Sequence, residues 1–180
     1  HPMPGKRALI VISNGKSTRD NGYLARAEED LHRAGVETEV FDGIMPNPTV
    51  ANSVAGAHAA RAYNADFLVA LGGGSVMDCS KAIALLATNE GDLWDYVAVG
   101  SGKGQPIKNR PLPIVAITTT AGTGSETDGC GVITKEETNE KAFVMHSSLF
   151  PVLAIVDPEL TLTVPPRYTA FQGFDALFHS

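Results

Sequence analysis

Three short stretches of this chain combine residue types and spacings that could do chemistry. The first, residues 68–78 (LVALGGGSVMD), runs from an apolar segment into three glycines and a serine, then into helix-forming residues. Only glycine lets a backbone turn this sharply while approaching a phosphate closely. The free N–H groups that open the following helix attract anions. The run is not a strict GxGxxG, because Met77 stands where the last glycine would fall, and it lacks the lysine of a phosphate-loop NTPase. The second stretch, residues 118–126 (TTTAGTGSE), offers the hydroxyls of Thr119, Thr120 and Thr123 beside Gly122 and Gly124. In the third, Asp175 and His179 stand at i and i+4 and so share one helix face. That spacing suits two ligands of one divalent metal, short of the three or more that such sites take from protein. Each stretch also has a plainer reading: a strand-to-helix turn, a Ser/Thr-rich helix cap, and a surface Asp/His contact.

The elements that must position these residues are legible as a rhythm. Residues 7–12 (RALIVI) predict a buried parallel strand. Residues 23–34 predict an amphipathic helix ended by Gly35, and 37–41 a second strand. Thr49 caps a helix over 50–63. Residues 67–71 form a third strand that feeds the glycine turn and a helix to about 87, and 114–117 a fourth. The alternation predicts an α/β fold, a Rossmann-like parallel sheet with helices on both faces. Both glycine-rich turns then fall on the carboxyl edge of one sheet, where open α/β sheets bind ligands. Residues 132–134, 143–145 and 153–156 read as short strands of a small hairpin or edge unit, and 101–110 as a mobile polar loop. Pro165 and Pro166 open a helix expected in two pieces around Gly173. The expected division is a dinucleotide-binding domain over 1–163 and the start of a helical metal-binding domain over 164–180.

Composition narrows the class. With 180 residues, 43% of them hydrophobic, the chain can bury one good core. A net charge of −6 without any Lys/Arg run argues against a nucleic-acid partner. No apolar run reaches the ~18–20 residues of a membrane span, and no signal peptide is recognisable, so a cytoplasmic location is expected. Cys79 and Cys130 lie far apart and read as two reduced, buried thiols. His1, His32, His58 and His146 read as surface or structural residues.

Taken together, GGGSVMD, TTTAGTGSE, LAIVDPEL at 153–160 and GFDALFH occur in the order and spacing of a known family. The sequence resembles the iron-containing (group III) alcohol dehydrogenases, and MPNPT at 45–49 is similar to that family's turn after its second strand. The resemblance covers residues 5–180. It implies an NAD(P)- and metal-dependent oxidoreductase acting on small primary alcohols, diols or the matching aldehydes. The metal would be Fe2+, or Zn2+, acting as a Lewis acid on the alcohol oxygen while hydride passes to the nicotinamide. By this resemblance Gly73, Gly74 and Ser75 take the cofactor's diphosphate, with Asp78 just behind. Thr119, Thr120 and Thr123 contact the adenine and ribose, Asn47 lines the cleft, and Lys141 reaches the nicotinamide-side ribose. Asp175 and His179 match two of four metal ligands. The family's other two are histidines of a later helical domain, and it also has a segment ahead of Gly5. The chain therefore reads as a piece of a larger enzyme, inactive alone, whose partner is that C-terminal helical domain. A homodimer is compatible, and no residue is read as a general base.

The cofactor's phosphate is read from the turn after the first strand. NAD-preferring relatives place an Asp there, which repels a 2′-phosphate. Here stand Ser13, Asn14, Gly15, Lys16 and Ser17, with Arg19 beyond. NADP(H) is therefore expected in preference to NAD(H), with Lys16 or Arg19 pairing with the phosphate and Ser17 donating to it. The plain alternative is that both cations are solvated loop charges. Two other identities stay open. One is a zinc-dependent glycerol dehydrogenase-like or dehydroquinate synthase-like enzyme on the same fold, and the other a non-catalytic nucleotide-binding module.

Overall fold

The structure, a computed structural model, describes residues 3–179; residues 1, 2 and 180, and with them the reading of His1, lie outside it. Strand β1 (Arg7–Ser13) is followed by a short helix α1 (Ser17–Asp20), helix α2 (Tyr23–Arg33) and strand β2 (Glu37–Ile44). Helix α3 (Val50–Tyr63), strand β3 (Phe67–Gly72), helix α4 (Gly74–Thr88) and a short helix α5 (Leu93–Tyr96) follow. Strands β4 (Ile114–Thr118), β5 (Cys130–Lys135), β6 (Glu140–Met145) and β7 (Leu153–Ile155) precede the last helix, α6 (Pro166–His179).

Five strands form one parallel sheet in the order β2-β1-β3-β4-β7. The apolar run of β1 explains why it lies inside. Leu9 and Val11 face one core layer, with α3 and α4, while Ala8, Ile10 and Ile12 face the other, with α2. A strand covered on both faces needs apolar side chains at every position, not at alternate ones. Thr49 caps α3 as expected, its hydroxyl accepting from the Asn52 N–H while Oδ1 of the Asn52 side chain accepts from the Thr49 N–H. Strands β3 and β4 pair with Gly72 opposite Thr118, and the Thr119 N–H donates to the Gly72 carbonyl at 3.0 Å. That register starts the two glycine-rich turns side by side.

Four details differ from the sequence reading. Only β5 and β6 form the antiparallel hairpin; β7 joins the main sheet, because residues 153–155 pair in parallel with 115–117 of β4. Helix α6 is continuous through Gly173, where a Cβ would meet nothing within 4 Å. A lone glycine lowers helix stability by about 1 kcal/mol without supplying a break. The polar segment 101–110 is pinned, with Lys103 N–H donating to the Trp94 carbonyl and Asn89 Oδ1 accepting from the N–H groups of Lys108 and Asn109. Cys79 is buried, its thiol pushed up to about 12 by burial, but Cys130 is only partly covered.

Leu9 is fully buried in β1 against the α3–α4 layer. Leu9→Ala should lower unfolding stability by about 2–5 kcal/mol in a denaturant titration; a loss under 1 kcal/mol would show that this layer is not packed as described.

Candidate functional site

The first turn is shaped by lack of space. Gly73 is the N-cap of α4 in extended conformation and no side chain caps the helix; its carbonyl accepts from the Val76 and Met77 N–H groups, which leaves the N–H groups of Gly74 and Ser75 as the uncapped donors of the first turn. A Cβ on Gly73 would lie 2.7 Å from Thr120 Oγ1, and one on Gly74 would lie 2.7 Å from Thr123 Cγ2. The second turn is shaped by conformation: Gly122 (φ +111) and Gly124 (φ +66) occupy the left-handed region that favours glycine.

Between the turns opens a cleft of about 660 Å3, within the usual range of ligand pockets. Of the sequence-selected residues, Ser13, Asn14, Gly15 and Ser17 line it from the turn after β1. Gly73, Gly74 and Ser75 line it from the first glycine turn, and Thr119, Thr120 and Thr123 from the second. Asp175 reaches it from α6. The floor thus offers open backbone N–H groups, the walls offer hydroxyls, and α6 contributes the only carboxylate among the lining residues. A diphosphate fits this chemistry, because the helix N-terminus presents donors and positive dipole with no carboxylate in its first turn.

Sequence inspection missed Tyr168, Phe171 and Gln172, which also line the cleft. With Asp175 they stand at i, i+3, i+4 and i+7, one helix face, so the signal was present. Gln172 Oε1 accepts from the Ala121 N–H at 3.1 Å and fixes α6 to the second turn.

Lys16, Asn47, Asp78, Lys141 and His179 do not line the cleft. Lys141 Nζ donates to Asn47 Oδ1 at 3.0 Å, and Asn47 sits in the left-handed region at φ 55. Asp78 points away from the glycine turn. Its Oδ1 accepts from Ser125 Oγ at 2.6 Å and its Oδ2 from the Val132 N–H at 3.2 Å. Beside it Lys81, 1% exposed, places Nζ 2.8 Å from the Ser125 carbonyl, 2.8 Å from Ser125 Oγ, 2.8 Å from the Cys130 carbonyl and 2.5 Å from Asp128 Oδ1. This buried polar cluster ties α4 to the far side of the second turn. The Ser125 N–H in turn donates to Thr123 Oγ1, which faces Gly74. Asp78 therefore holds the turn's shape and does not contact the cleft.

Asp175 and His179 do come together. His179 Nδ1 lies 3.6 Å from Asp175 Oδ1 and 3.2 Å from the Gly122 carbonyl. In the tautomer that donates from Nδ1 to Gly122, Nε2 carries the lone pair a metal would take. Among the described residues no group of three or more His, Cys, Asp or Glu is placed to hold a metal. The pair could supply two ligands, short of the three or more that such sites take from protein. His32, His58 and His146 make local contacts only, with Thr38, Arg61 and Ser148.

Burial pushes the Asp78 carboxyl above its ordinary value of 3.8; hydrogen bonds from Ser125 and Val132 and the Lys81 charge partly oppose it. A carboxyl with a raised folded-state value binds its proton more tightly folded than unfolded. Its stabilising contribution is complete below 3.8 and is lost as pH rises through the raised value. The stability of the wild type minus that of Asp78→Asn, followed by urea unfolding from pH 3.8 upward, should fall as pH rises; a difference that grows would contradict the assigned environment.

Comparison with known proteins agrees with this geometry. The family model described as iron-containing alcohol dehydrogenase matches residues 2–158. The chain is 38% identical over 178 residues to 1,3-propanediol dehydrogenase of Klebsiella pneumoniae, covering 99% of this chain and 45% of that protein. It is 38% identical over 174 residues to alcohol dehydrogenase 4 of Saccharomyces cerevisiae, covering 97% and 44%. The crystal structure of NADH-dependent butanol dehydrogenase A from Thermotoga maritima superposes with a TM-score of 0.89 at 32% identity, over 97% of this chain and 43% of that one. Sulfoacetaldehyde reductase from Bifidobacterium kashiwanohense, in complex with NAD+, superposes at 0.81 with 37% identity, over 94% and 43%. The chain thus spans under half the length of these relatives. The matches favour neither the glycerol dehydrogenase-like nor the dehydroquinate synthase-like alternative. A match over most of the chain, together with relatives at this identity, leads to one conclusion: the chain belongs to the iron-containing alcohol dehydrogenase family.

Proposed function

We propose that the chain is the cofactor-binding part of a metal- and NAD(P)-dependent alcohol dehydrogenase or aldehyde reductase for small primary alcohols or diols. The observation that carries this reading is the cleft itself, with the uncapped N-terminus of α4 between two turns rich in glycine and hydroxyls. The names of relatives support the substrate class, since they include 1,3-propanediol and butanol dehydrogenases. A bound nicotinamide would supply the hydride chemistry, and a divalent cation held by Asp175 and His179 with further ligands would supply a Lewis acid for the substrate oxygen.

The chain's own residues would bind and orient. N–H groups of residues 73–75 would hold the diphosphate, and the hydroxyls of Thr119, Thr120 and Thr123 the adenosine portion. Asn47 and Lys141, paired with each other outside the cleft wall, would meet the nicotinamide-side ribose. Asp175 and His179 would give two of the ligands to Fe2+, or Zn2+. Residues 164–180 would begin a metal-binding helical region. The exposure of Tyr168, Phe174 and Phe178 on α6 suits packing against further protein. No helix of the described residues is long and apolar enough to cross a membrane, which accords with action on dissolved substrates in the cytoplasm.

NADP(H) is proposed as the preferred cofactor because Ser13 stands where a carboxylate would repel the 2′-phosphate, and no acid lines that wall of the cleft. The NADH and NAD+ of the two structural relatives weigh for NAD(H), so both are tested together.

Fluorescence titration of the chain with NADPH and with NADH should give saturable binding, tighter for NADPH. Gly74→Ala, whose new methyl meets Thr123, should weaken both by about tenfold or more. Absence of binding by the unaltered chain, or an unaffected Gly74→Ala, would refute the cleft as the dinucleotide site. Alcohol-dependent NADPH production by these 180 residues alone would refute the need for further ligands.

A further inference from the structure

Helix α6 buries none of its residues, so no hydrophobic core fixes where it stands. Polar contacts place it instead. Ahead of the helix, Thr163 meets Asn21 Nδ2 and the Tyr23 hydroxyl. Along the helix, the partner is the tip of the second glycine-rich turn. Gln172 Oε1 accepts from the Ala121 N–H at 3.1 Å. A Cβ on Gly122 would lie 2.7 Å from the Gln172 carbonyl oxygen and 3.0 Å from Asp175 Oδ2, so turn and helix approach backbone to backbone. The Gly122 carbonyl in turn lies 3.2 Å from His179 Nδ1. Two adjacent turn residues thus meet α6 at positions 172, 175 and 179, which recur on one helix face.

The same tip faces the cleft. Thr120, Ala121 and Thr123 line it, whereas Gly122 and His179 do not. Ala121 therefore has two sides: it forms cleft wall, and its N–H holds Gln172. The next peptide unit carries the carbonyl that meets His179. His179 is the last residue of α6, and helix ends fray, so its own bond to Gly122 does not hold the helix in register. Gln172 stands two turns earlier, where the helix is firm. Because a backbone donor faces it, only a side chain with an acceptor at this reach can do the same.

Resting on the readings of the cleft as a dinucleotide site and of Asp175 and His179 as metal ligands, we infer that Gln172 is a positioning residue for those ligands. Through the Ala121 N–H it sets the register of α6 against the turn that seats the nucleotide. Asp175 and His179 are thereby fixed relative to the cofactor, and the seating of a nucleotide is felt at His179, outside the cleft. Groups that orient metal ligands from beyond the coordination shell are part of a metal site's construction.

The test is NMR of the His179 ring in the unaltered chain, Gln172→Met and Gln172→Glu, with NADPH as the probe. Met matches the length of Gln and lacks the acceptor; Glu keeps it. In the unaltered chain the ring should show a nuclear Overhauser contact to the Gly122 α-protons, and its signals should move as NADPH saturates. In Gln172→Met that contact should be lost, the NADPH-induced movement of the ring should fall by about threefold, and NADPH should bind about threefold more weakly. Gln172→Glu, observed without nucleotide, should keep the Gly122 contact. A ring that ignores saturating NADPH in the unaltered chain, or that responds equally in Gln172→Met, overturns the inference. So does loss of the Gly122 contact in both variants alike, since a merely structural role would not separate Met from Glu. If the unaltered chain binds no NADPH in the fluorescence titration, the reading of the cleft has failed instead, and this inference falls with it. Thermal unfolding of both variants within a few degrees of the unaltered chain shows that the fold is kept.

Discussion

The contact between two turns, Gly73 against Thr120 and Gly74 against Thr123, is the constraint on which the rest of the structure depends. The gap admits no Cβ on either glycine. Any larger side chain would have to displace the Thr120 or Thr123 side chain from beside the helix N-terminus. The register that sets Gly72 opposite Thr118 starts the turns level with each other. The missing side chains then let them close. The result is a surface of backbone N–H groups and hydroxyls with almost no charge of its own, suited to an anion held by dipoles rather than by an ion pair.

A turn held by glycines has little intrinsic stiffness, and the chain supplies stiffness from behind. Lys81 and Asp78 lie one helical turn apart on α4 and reach the same residue, Ser125, from two sides. A buried lysine is costly unless hydrogen-bonded, and here Lys81 Nζ and both Asp78 carboxylate oxygens have partners. The same turn carries Ala121 and Gly122, which contact Gln172 and His179 of α6. One rigid segment thus joins the cofactor cleft to the helix bearing the two candidate metal ligands.

Much of this was legible in the sequence because the deciding signals are local. The unbroken apolar run of β1, the Thr49 cap and the two glycine-rich turns each state their own conformation. What stayed hidden depends on direction or distance. Asp78 sits next to the glycine turn in sequence, yet its helical position turns it toward Val132, 54 residues away. The residues that surround Lys81 lie 44 to 49 positions further on, beyond any pattern in a window of the chain. The three short strands after residue 129 look alike as strings; only pairing with β4 sends β7 to the main sheet. The face of Tyr168, Phe171, Gln172 and Asp175 was readable, but the expectation of a break at Gly173 obscured its periodicity.

The central claim, that a dinucleotide lies across these two turns, is tested most directly by amide NMR. The 15N-labelled chain would be titrated with NADPH and its backbone shifts followed residue by residue. The account predicts that Gly73, Gly74 and Ser75 shift together with Thr119–Thr123 and with Ser13–Ser17, while amides of the β5–β6 hairpin tip stay still. Shifts confined to other surfaces, or none at saturating nucleotide, would contradict it.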